Sequence, residues 1–247
     1  VAAFDASGRL LRRLELLFHN LVASESTPAL QAAERVLAAR LAAHESAVYM
    51  HGGVFARVEV LHEQRAALGL DGESLRLLER VHLDFVRAGA RLAPAAQRRY
   101  AAIVERLATL YTTFSQNLLA DEAGWLLLLE DEADLAGLPG FLRQAADEAA
   151  AQRGHAGAWA ITLSRSAVMA FLSFSTLRDL RETVWRAWVG RGEGALGDAA
   201  RDNRPIAAEI MALRLEQARL HGHASYADHA LADRMAGTPA AVRGLLD

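Results

Sequence analysis

The histidines of this sequence are the residues best suited to binding a metal ion, and their spacing can be compared with the spacing that a catalytic zinc site requires. A catalytic zinc site of the His-Glu-x-x-His type needs two His four residues apart on one helical face, with the Glu as general base. His44-Glu45 and His62-Glu63 begin this pattern, but Val48 and Ala66 stand where the second ligand must be. The motif is therefore incomplete at both places, and we predict no catalytic residue, no cofactor-binding residue and no metal ligand in this chain.

Two Glu-x-x-His units offer a second metal chemistry. Glu59-x-x-His62 and Glu79-x-x-His82 each place both side chains on one side of a helix, as di-iron helical bundles do twice. That scheme also needs a Glu from each of two further helices, and the available donors are Glu15, Glu34 and Glu105. Glu59 and Glu79 lie at the edge of their apolar stripes, on helices joined by a short turn. We therefore favour boundary His and solvated Glu, with a di-iron bundle as an alternative.

Three further patterns resemble binding sites. Gly192–Gly197 matches the Gly-x-Gly-x-x-Gly dinucleotide fingerprint, but a Trp-bearing helix precedes it instead of the required strand. We interpret it as a flexible glycine loop within 190–203, the most linker-like stretch of the chain. Trp185 and Trp188 could stack on a ligand, but their helical spacing favours a place in the core. The acidic run Glu130, Asp131, Glu132 and Asp134 could attract a cation but is typical of a solvated turn.

Most of the elements that carry these residues are predicted to be helices, because apolar residues recur at i, i+3 and i+4 spacings. The first helix is predicted from about Ser7 to Ala23, and Thr27 followed by Pro28 caps the second. The further predicted N-caps are Asp71 or Ser74, Ser175 or Thr176, Ser225 and Thr238. The predicted helix ends are Gly52-Gly53, Gly69, Gly89 and Gly222. The predicted inward-facing residues include Val58, Leu78, Val81, Phe85, Tyr100, Ile103, Leu107 and Leu110.

Short apolar runs in the middle of the chain predict strands. They are Trp125–Leu129, Trp159–Leu163 and Phe171–Phe174, with a helix over Phe141–Gln152.

The elements divide the chain into three predicted regions. Residues 1–122 form a helical bundle region, residues 123–174 contain short strands with one helix, and residues 175–247 form a helical region truncated at the chain end. The predicted fold class is mainly α, a multi-helix lobe with a few short β-strands.

Composition excludes several function classes. The formal net charge of -3 and the pI near 6.3 provide no positive field for nucleic acid or an anionic membrane. With no Cys there is no disulfide framework and no cysteine nucleophile. Apolar stretches are shorter than the ~20 residues of a spanning helix, and Val1–Arg13 does not resemble a signal peptide. These features predict a cytoplasmic protein with no nucleic-acid or membrane partner.

Three stretches, in this order and spacing, resemble the upstream part of the thimet oligopeptidase and peptidyl-dipeptidase family, closest to its bacterial peptidyl-dipeptidase and oligopeptidase A branch. They are Leu75–Arg87; Glu105–Leu110 with Phe114–Leu118; and Asp202–Pro205 followed by Glu209-Ile210, Leu213-Arg214, Gly222, Asp233, Met235 and Thr238-Pro239.

The resemblance implies one lobe of a larger two-lobed peptidase, in which helices form a wall of a deep substrate channel and short strands lie near the substrate cleft. It also implies zinc in the parent enzyme, with all zinc ligands beyond the position of Asp247, so that this segment binds none. Further helical sequence is implied before Val1. His223 departs from the Tyr that relatives often carry after the glycine.

The leading hypothesis is therefore the helical part of a zinc-dependent oligopeptidase that hydrolyses short peptides, inactive by itself. Strands without enough partners predict an exposed apolar face and self-association of the isolated segment. The alternative is a stand-alone helical module that binds a peptide or protein partner without catalysis.

Overall fold

A computed structural model describes residues 1–196 and 198–247. Over these residues the chain is mostly helical and contains one two-stranded sheet, which confirms the mainly-α fold class. The last glycine of the predicted fingerprint, Gly197, lies outside the described residues. The chain forms two compact units: unit 1 comprises Val1–Thr112 with Glu209–Asp247, and unit 2 comprises Thr113–Ala208.

Unit 1 is built from helices. They are α1 (Ala2–Asp5), α2 (Arg9–Glu25), α3 (Pro28–Tyr49), α4 (Gly52–Glu63), α5 (Gly72–Arg87), the part of α6 (Pro94–Gly124) up to Thr112, the part of α10 (Arg204–Leu220) from Glu209, α11 (Tyr226–Leu231) and α12 (Pro239–Leu246). In the described part of the chain, no helix combines the length and the apolar character needed to cross a membrane.

Side-chain caps begin these helices where the sequence predicts them. The Thr27 hydroxyl accepts the Leu30 N–H at 3.3 Å, and Asp71 Oδ1 accepts the Ser74 N–H at 2.7 Å, which makes Asp71 the cap of α5. Ser225 and Asp228 form a capping box on α11, and Thr238 caps α12. Each cap supplies an acceptor to a backbone N–H that has no partner inside its helix.

The role predicted for Gly52-Gly53 is wrong. Helix α3 already ends at Tyr49, and the two glycines form the first turn of α4. His51 caps that turn, with its Nδ1 accepting the Val54 N–H at 3.3 Å. An acceptor side chain therefore outweighs the glycine signal at this position. Gly69 does not cap α4 either, because α4 ends at Glu63 and a turn follows.

An aromatic cluster forms part of the core of unit 1. Phe85 is fully buried, and the ring centroids of Phe4, Tyr49 and Phe55 lie 5.2, 5.0 and 5.9 Å from its own. In contrast, α2 leaves a stripe of large apolar side chains in solvent, namely Leu10, Leu14, Leu16, Leu17 and Leu21. Unit 1 thus has a compact centre and an uncovered apolar helix face.

Unit 2 contains the sheet. Strands β1 (Leu126–Leu129) and β2 (Trp159–Thr162) pair antiparallel, with Leu126 opposite Thr162 and Leu129 opposite Trp159, which confirms two predicted strands. The other elements are the 3₁₀ turns Glu132–Leu135 and Ala199–Arg201, the ends of α6 and α10, and the helices α7 (Gly140–Gln152), α8 (Arg165–Phe174) and α9 (Arg178–Val189).

The third predicted strand, Phe171–Phe174, is wrong because these residues form the end of α8. Ser164 caps this helix by accepting the Ala167 N–H at 3.3 Å. Val168 and Phe171 lie three residues apart, so both enter the core from one helical face. Ser175 and Thr176 do not cap α9 either, since Leu177 holds the N-cap position.

The core of unit 2 joins strands to helices. It consists of Leu129, Leu135, Leu138, Leu142, Ala146, Ile161, Leu163, Val168, Phe171, Val184 and Ala187. Because the residues come from both strands and from α7, α8 and α9, this core holds the sheet against the helices.

Candidate functional site

The structure brings together three of the four side chains of the Glu-x-x-His units. The rings of His62 and His82 stack with centroids 3.7 Å apart and an angle of 4° between their planes. Glu59 Oε2 lies 3.4 Å from His82 Nε2. Glu79 is not part of this group, since it faces Arg76 at 3.5 Å on the surface of α5.

The Arg91 guanidinium contacts two members of this group. Arg91 Nη2 lies 2.5 Å from Glu59 Oε1 and 3.4 Å from His82 Nε2. The Arg91 hydrogen bond lowers the pKa of Glu59, and burial together with His82 lowers the pKa of His62. Across residues 1–196 and 198–247, no three His, Asp or Glu side chains form a group that could hold a metal ion. The cluster is therefore a charge-paired structural feature, and the donor set does not fit di-iron or zinc.

A polar cleft of about 500 Å³ is the candidate binding site of unit 1. Helices α3, α5, α6, α10 and α11 contribute to it. Its charged and phenolic lining residues include Glu45, Tyr49, Asp84, Arg87, Tyr226 and Arg234. A lining of this kind suits a polar ligand with hydrogen-bonding groups rather than an apolar one.

Hydrogen bonds order the floor of this cleft. The Tyr100 hydroxyl donates to the Arg87 carbonyl oxygen at 2.9 Å and accepts from Gln217 Nε2 at 3.0 Å. Arg87 Nη1 lies 3.3 Å from Asp233 Oδ1 and also donates to the His229 carbonyl oxygen at 3.1 Å. Burial raises the pKa of Tyr100. These contacts hold α5, α6, α10 and α11 together behind the cleft.

Histidine rings pack beside the cleft. The His229 ring lies 5.0 Å from that of His221 and 5.2 Å from that of His223, measured between centroids. His229 is only 5% exposed, and its Nδ1 and His221 Nε2 are buried without a hydrogen-bond partner in the described chain. Burial, reinforced by Arg87, lowers the pKa of His229 to about 4, and burial also lowers the pKa of His221. Both rings are therefore neutral at pH 7.

In unit 2 a buried carboxylate holds the glycine stretch. Asp121 is 2% exposed; its Oδ2 accepts the Gly192 N–H at 2.8 Å, and its Oδ1 lies 3.3 Å from Arg201 Nη1. Gly192 has φ +71°, and a Cβ there would come within 2.9 Å of Asn203 Nδ2. The Gly192 N–H thus serves an internal carboxylate, and the loop is tied to the unit instead of being a free linker.

The two tryptophans of α9 have different environments. Trp188 packs partly against the core under the Arg191 guanidinium, whose carbon lies 3.4 Å from the ring centroid. Trp185 is 51% exposed, so its predicted place in the core is wrong. It lines a shallow cleft of about 390 Å³ with Leu172, Arg178, Arg181 and Glu182.

Sequence reasoning missed the residues of the polar cleft. Glu45 and Tyr49 are four residues apart on α3, and Asp84 and Arg87 are three apart on α5, so each pair shares one helical face. That spacing of polar residues was the available signal. It could not show that the two faces meet, because the pairs belong to separate helices.

Comparison with known proteins adds the following similarities. The model of peptidase family M3 matches residues 171–247. A dipeptidyl carboxypeptidase of Salmonella typhimurium is 37% identical over 239 residues, covering 97% of this chain and 35% of that protein. An oligopeptidase A of the same organism is 29% identical over 99% of this chain and 35% of its own length. A probable cytosolic oligopeptidase A of Arabidopsis thaliana is 27% identical over 92% of this chain and 33% of its own. The chain thus spans about a third of the length of the relatives it matches.

Proposed function

This chain belongs to peptidase family M3 as a segment of the family's longer proteins, and from that premise we propose that it is the helical part of a zinc-dependent oligopeptidase that hydrolyses short peptides. The observation that carries the proposal is the 37% identity to a dipeptidyl carboxypeptidase across 97% of the chain. The identity extends over both compact units, so neither unit is set apart from the peptidase relationship.

The residues described here do not fit a catalytic zinc site. The two incomplete His-Glu sequences lack the second His, and the Glu59, His62 and His82 group is paired with Arg91. We therefore assign the zinc of the complete protein to residues outside this chain. On this proposal the chain binds no catalytic zinc and is inactive alone.

The proposed contribution of this chain is a wall of the substrate channel. Its support is the resemblance, together with a polar cleft whose tyrosine, arginine and carboxylate side chains suit peptide amides and charged peptide ends. We place the complete protein in the cytoplasm, with short peptides as its partners. The relative named a probable cytosolic oligopeptidase A supports that location.

The decisive experiment compares the complete protein with the 247-residue chain alone. The complete reading frame around this sequence is expressed, and hydrolysis of an internally quenched short peptide is measured before chelation, after chelation and after zinc is restored. We expect hydrolysis that the chelator abolishes and zinc restores, whereas the chain alone stays at the background rate. Chelator-sensitive hydrolysis by the chain alone would overturn the assignment of zinc to residues outside it.

The cleft also favours a second function, peptide binding without catalysis. If the complete protein fails to hydrolyse peptides of any length tested but still binds them, the family relationship describes ancestry only. The chain is then a helical binding module.

A further inference from the structure

The polar cleft of unit 1 presents one solvent-exposed charge of each sign. Glu45 has no ion pair within the described part of the chain, and it is exposed on α3. Arg234 follows α11, is 71% exposed, and approaches only its neighbour Asp233 at 3.7 Å among the described residues. A carboxylate and a guanidinium are therefore both available to a molecule in this cleft.

The other charges of the cleft are already matched. Asp84 lies 2.9 Å from Arg80, and Arg87 lies 3.3 Å from Asp233. These pairs hold the walls in place and add no surplus of either sign. A cleft with a balanced charge does not favour a simple anion or a simple cation, whereas a molecule that carries both charges can pair with both exposed groups.

Two phenol groups extend the site. Tyr49 and Tyr226 line the cleft, and their hydroxyls make no hydrogen bond among residues 1–196 and 198–247. Burial, with the Asp84 and Glu45 carboxylates nearby, raises the pKa of Tyr49. Each hydroxyl can donate to a carbonyl oxygen or accept from an amide N–H, which are the groups of a peptide bond.

We propose that this cleft binds a small zwitterion, a free amino acid or a short peptide with unblocked ends, whose ammonium group pairs with Glu45 and whose carboxylate pairs with Arg234. The volume of about 500 Å³ lies in the range of about 300–1,000 Å³ typical of small-molecule pockets. A guanidinium suits a carboxylate because its parallel N–H groups can bond both oxygens. The choice of a peptide over another zwitterion rests on the proposed function. The two charged contacts, with Glu45 and Arg234, are argued from the cleft alone.

The test measures binding rather than hydrolysis, so its failure is distinct from failure of the proposed function. The complete protein, kept in a chelator so that it cannot cleave a probe, is titrated by calorimetry with four probes. They are alanine, Ala-Ala, N-acetyl-Ala-Ala and Ala-Ala amide. We expect binding of a probe with two free ends and at least about tenfold weaker binding when either end is blocked, the loss of one charge-assisted contact. Comparison of alanine with Ala-Ala distinguishes an amino acid from a peptide.

Matched variants place the probe in this cleft. Glu45→Gln should weaken Ala-Ala binding at least about tenfold but cause no further loss for N-acetyl-Ala-Ala, because the same contact is already gone. Arg234→Gln should show the same relation with Ala-Ala amide. Both residues are exposed, so the variants keep the fold. Arg76→Gln, on an exposed pair outside the lining, is the control and should leave the affinity unchanged.

Three results would overturn the proposal. The first is that no unblocked probe binds. The second is that a probe binds but neither cleft variant weakens its affinity. The third is that the affinity lost by blocking one end and the affinity lost by substituting its partner residue add together. The first removes the ligand class, and the other two place the probe elsewhere on the protein.

Discussion

The two units of this chain differ in what their interiors contain. Unit 2 joins both strands and three helices in one apolar core, and its buried carboxylate is matched by an N–H and a guanidinium. Unit 1 has an aromatic cluster in its core and carries buried histidine nitrogens without partners in the described chain, beside a polar cleft. Unmatched buried polar groups reduce stability, so they indicate where a structure serves binding. The difference teaches that the candidate site lies in the unit whose interior leaves polar groups unmatched, whereas the buried carboxylate of unit 2 is matched.

The largest effect should come from the core of unit 2. Phe171→Ala removes a fully buried ring from between the strands and α9, and should lower the free energy of unfolding by about 3–5 kcal/mol. Chemical denaturation monitored by circular dichroism measures this change. Trp185→Ala, at an exposed aromatic on α9, is the control and should cost less than about 1 kcal/mol. Equal losses in the two variants would show that unit 2 has no rigid core.

The buried carboxylate of unit 2 should rank second. Asp121→Asn keeps the size of the side chain but removes the charge that Arg201 and the Gly192 N–H face, so we expect a loss of about 2–3 kcal/mol. Asp198→Asn is the matched control, because Asp198 faces the same Arg201 at 3.4 Å but is exposed. That control should cost less than about 1 kcal/mol. Similar effects of both variants would contradict the importance of burial here.

In unit 1 the expected effect depends on pH. The His229 pKa is lowered from 6.5 to about 4, so the unfolded chain takes up this proton at a higher pH than the folded chain. His229 therefore contributes full stability above pH 6.5, and this contribution falls as the pH drops to about 4. We expect the stability of the unchanged protein to fall by about 2 kcal/mol more than that of His229→Phe over this range. Denaturation series at several pH values measure the difference, and parallel curves for the two proteins would refute it.

The smallest effect on stability is expected on α2. Leu14→Ser with Leu17→Ser changes side chains that are already exposed, so the free energy of unfolding should change by less than about 0.5 kcal/mol per site. Association should change much more, because we expect copies of the isolated chain to bury this exposed apolar stripe against each other, whereas the sequence placed the exposed apolar face at the strands. Light scattering should show oligomers that the double variant reduces. Leu245→Ser, exposed outside α2, is the control, and a monodisperse monomer of the unchanged chain would contradict the prediction.

Local signals in the sequence predicted much of the fold. The caps Thr27, Ser225 and Thr238 and the strands at Leu126 and Trp159 are where the sequence indicates them. The strand predicted at Phe171–Phe174 was wrong. An apolar run of four residues is too short for its periodicity to distinguish a strand from a buried helix. The helix end predicted at Gly52-Gly53 was wrong. The His51 side chain caps a new helix there, and the presence of two glycines gave no information about that contact.

The candidate site was much less predictable. The sequence showed Glu45 and Tyr49 on one helix and Asp84 and Arg87 on another, but these spacings describe single helices. The stacking of His62 on His82 and the approach of Arg91 to Glu59 likewise depend on which helices become neighbours. Motif spacing showed that the zinc-binding motif is incomplete, but neither spacing nor composition showed which polar side chains would line one cleft.

The sequence by itself determined the mainly helical class, most helix starts, two strands, the relationship to a peptidase family and the incomplete zinc motif, since these depend on residue type and short spacing. Only the tertiary structure decided that Asp121 holds Gly192, that His229 is buried beside Arg87, and that Glu45 and Arg234 line one cleft. These arrangements bring together residues up to 189 positions apart in the sequence, from Glu45 to Arg234, which line the same cleft. Their formation follows from packing of apolar faces across the whole unit, which no local pattern encodes.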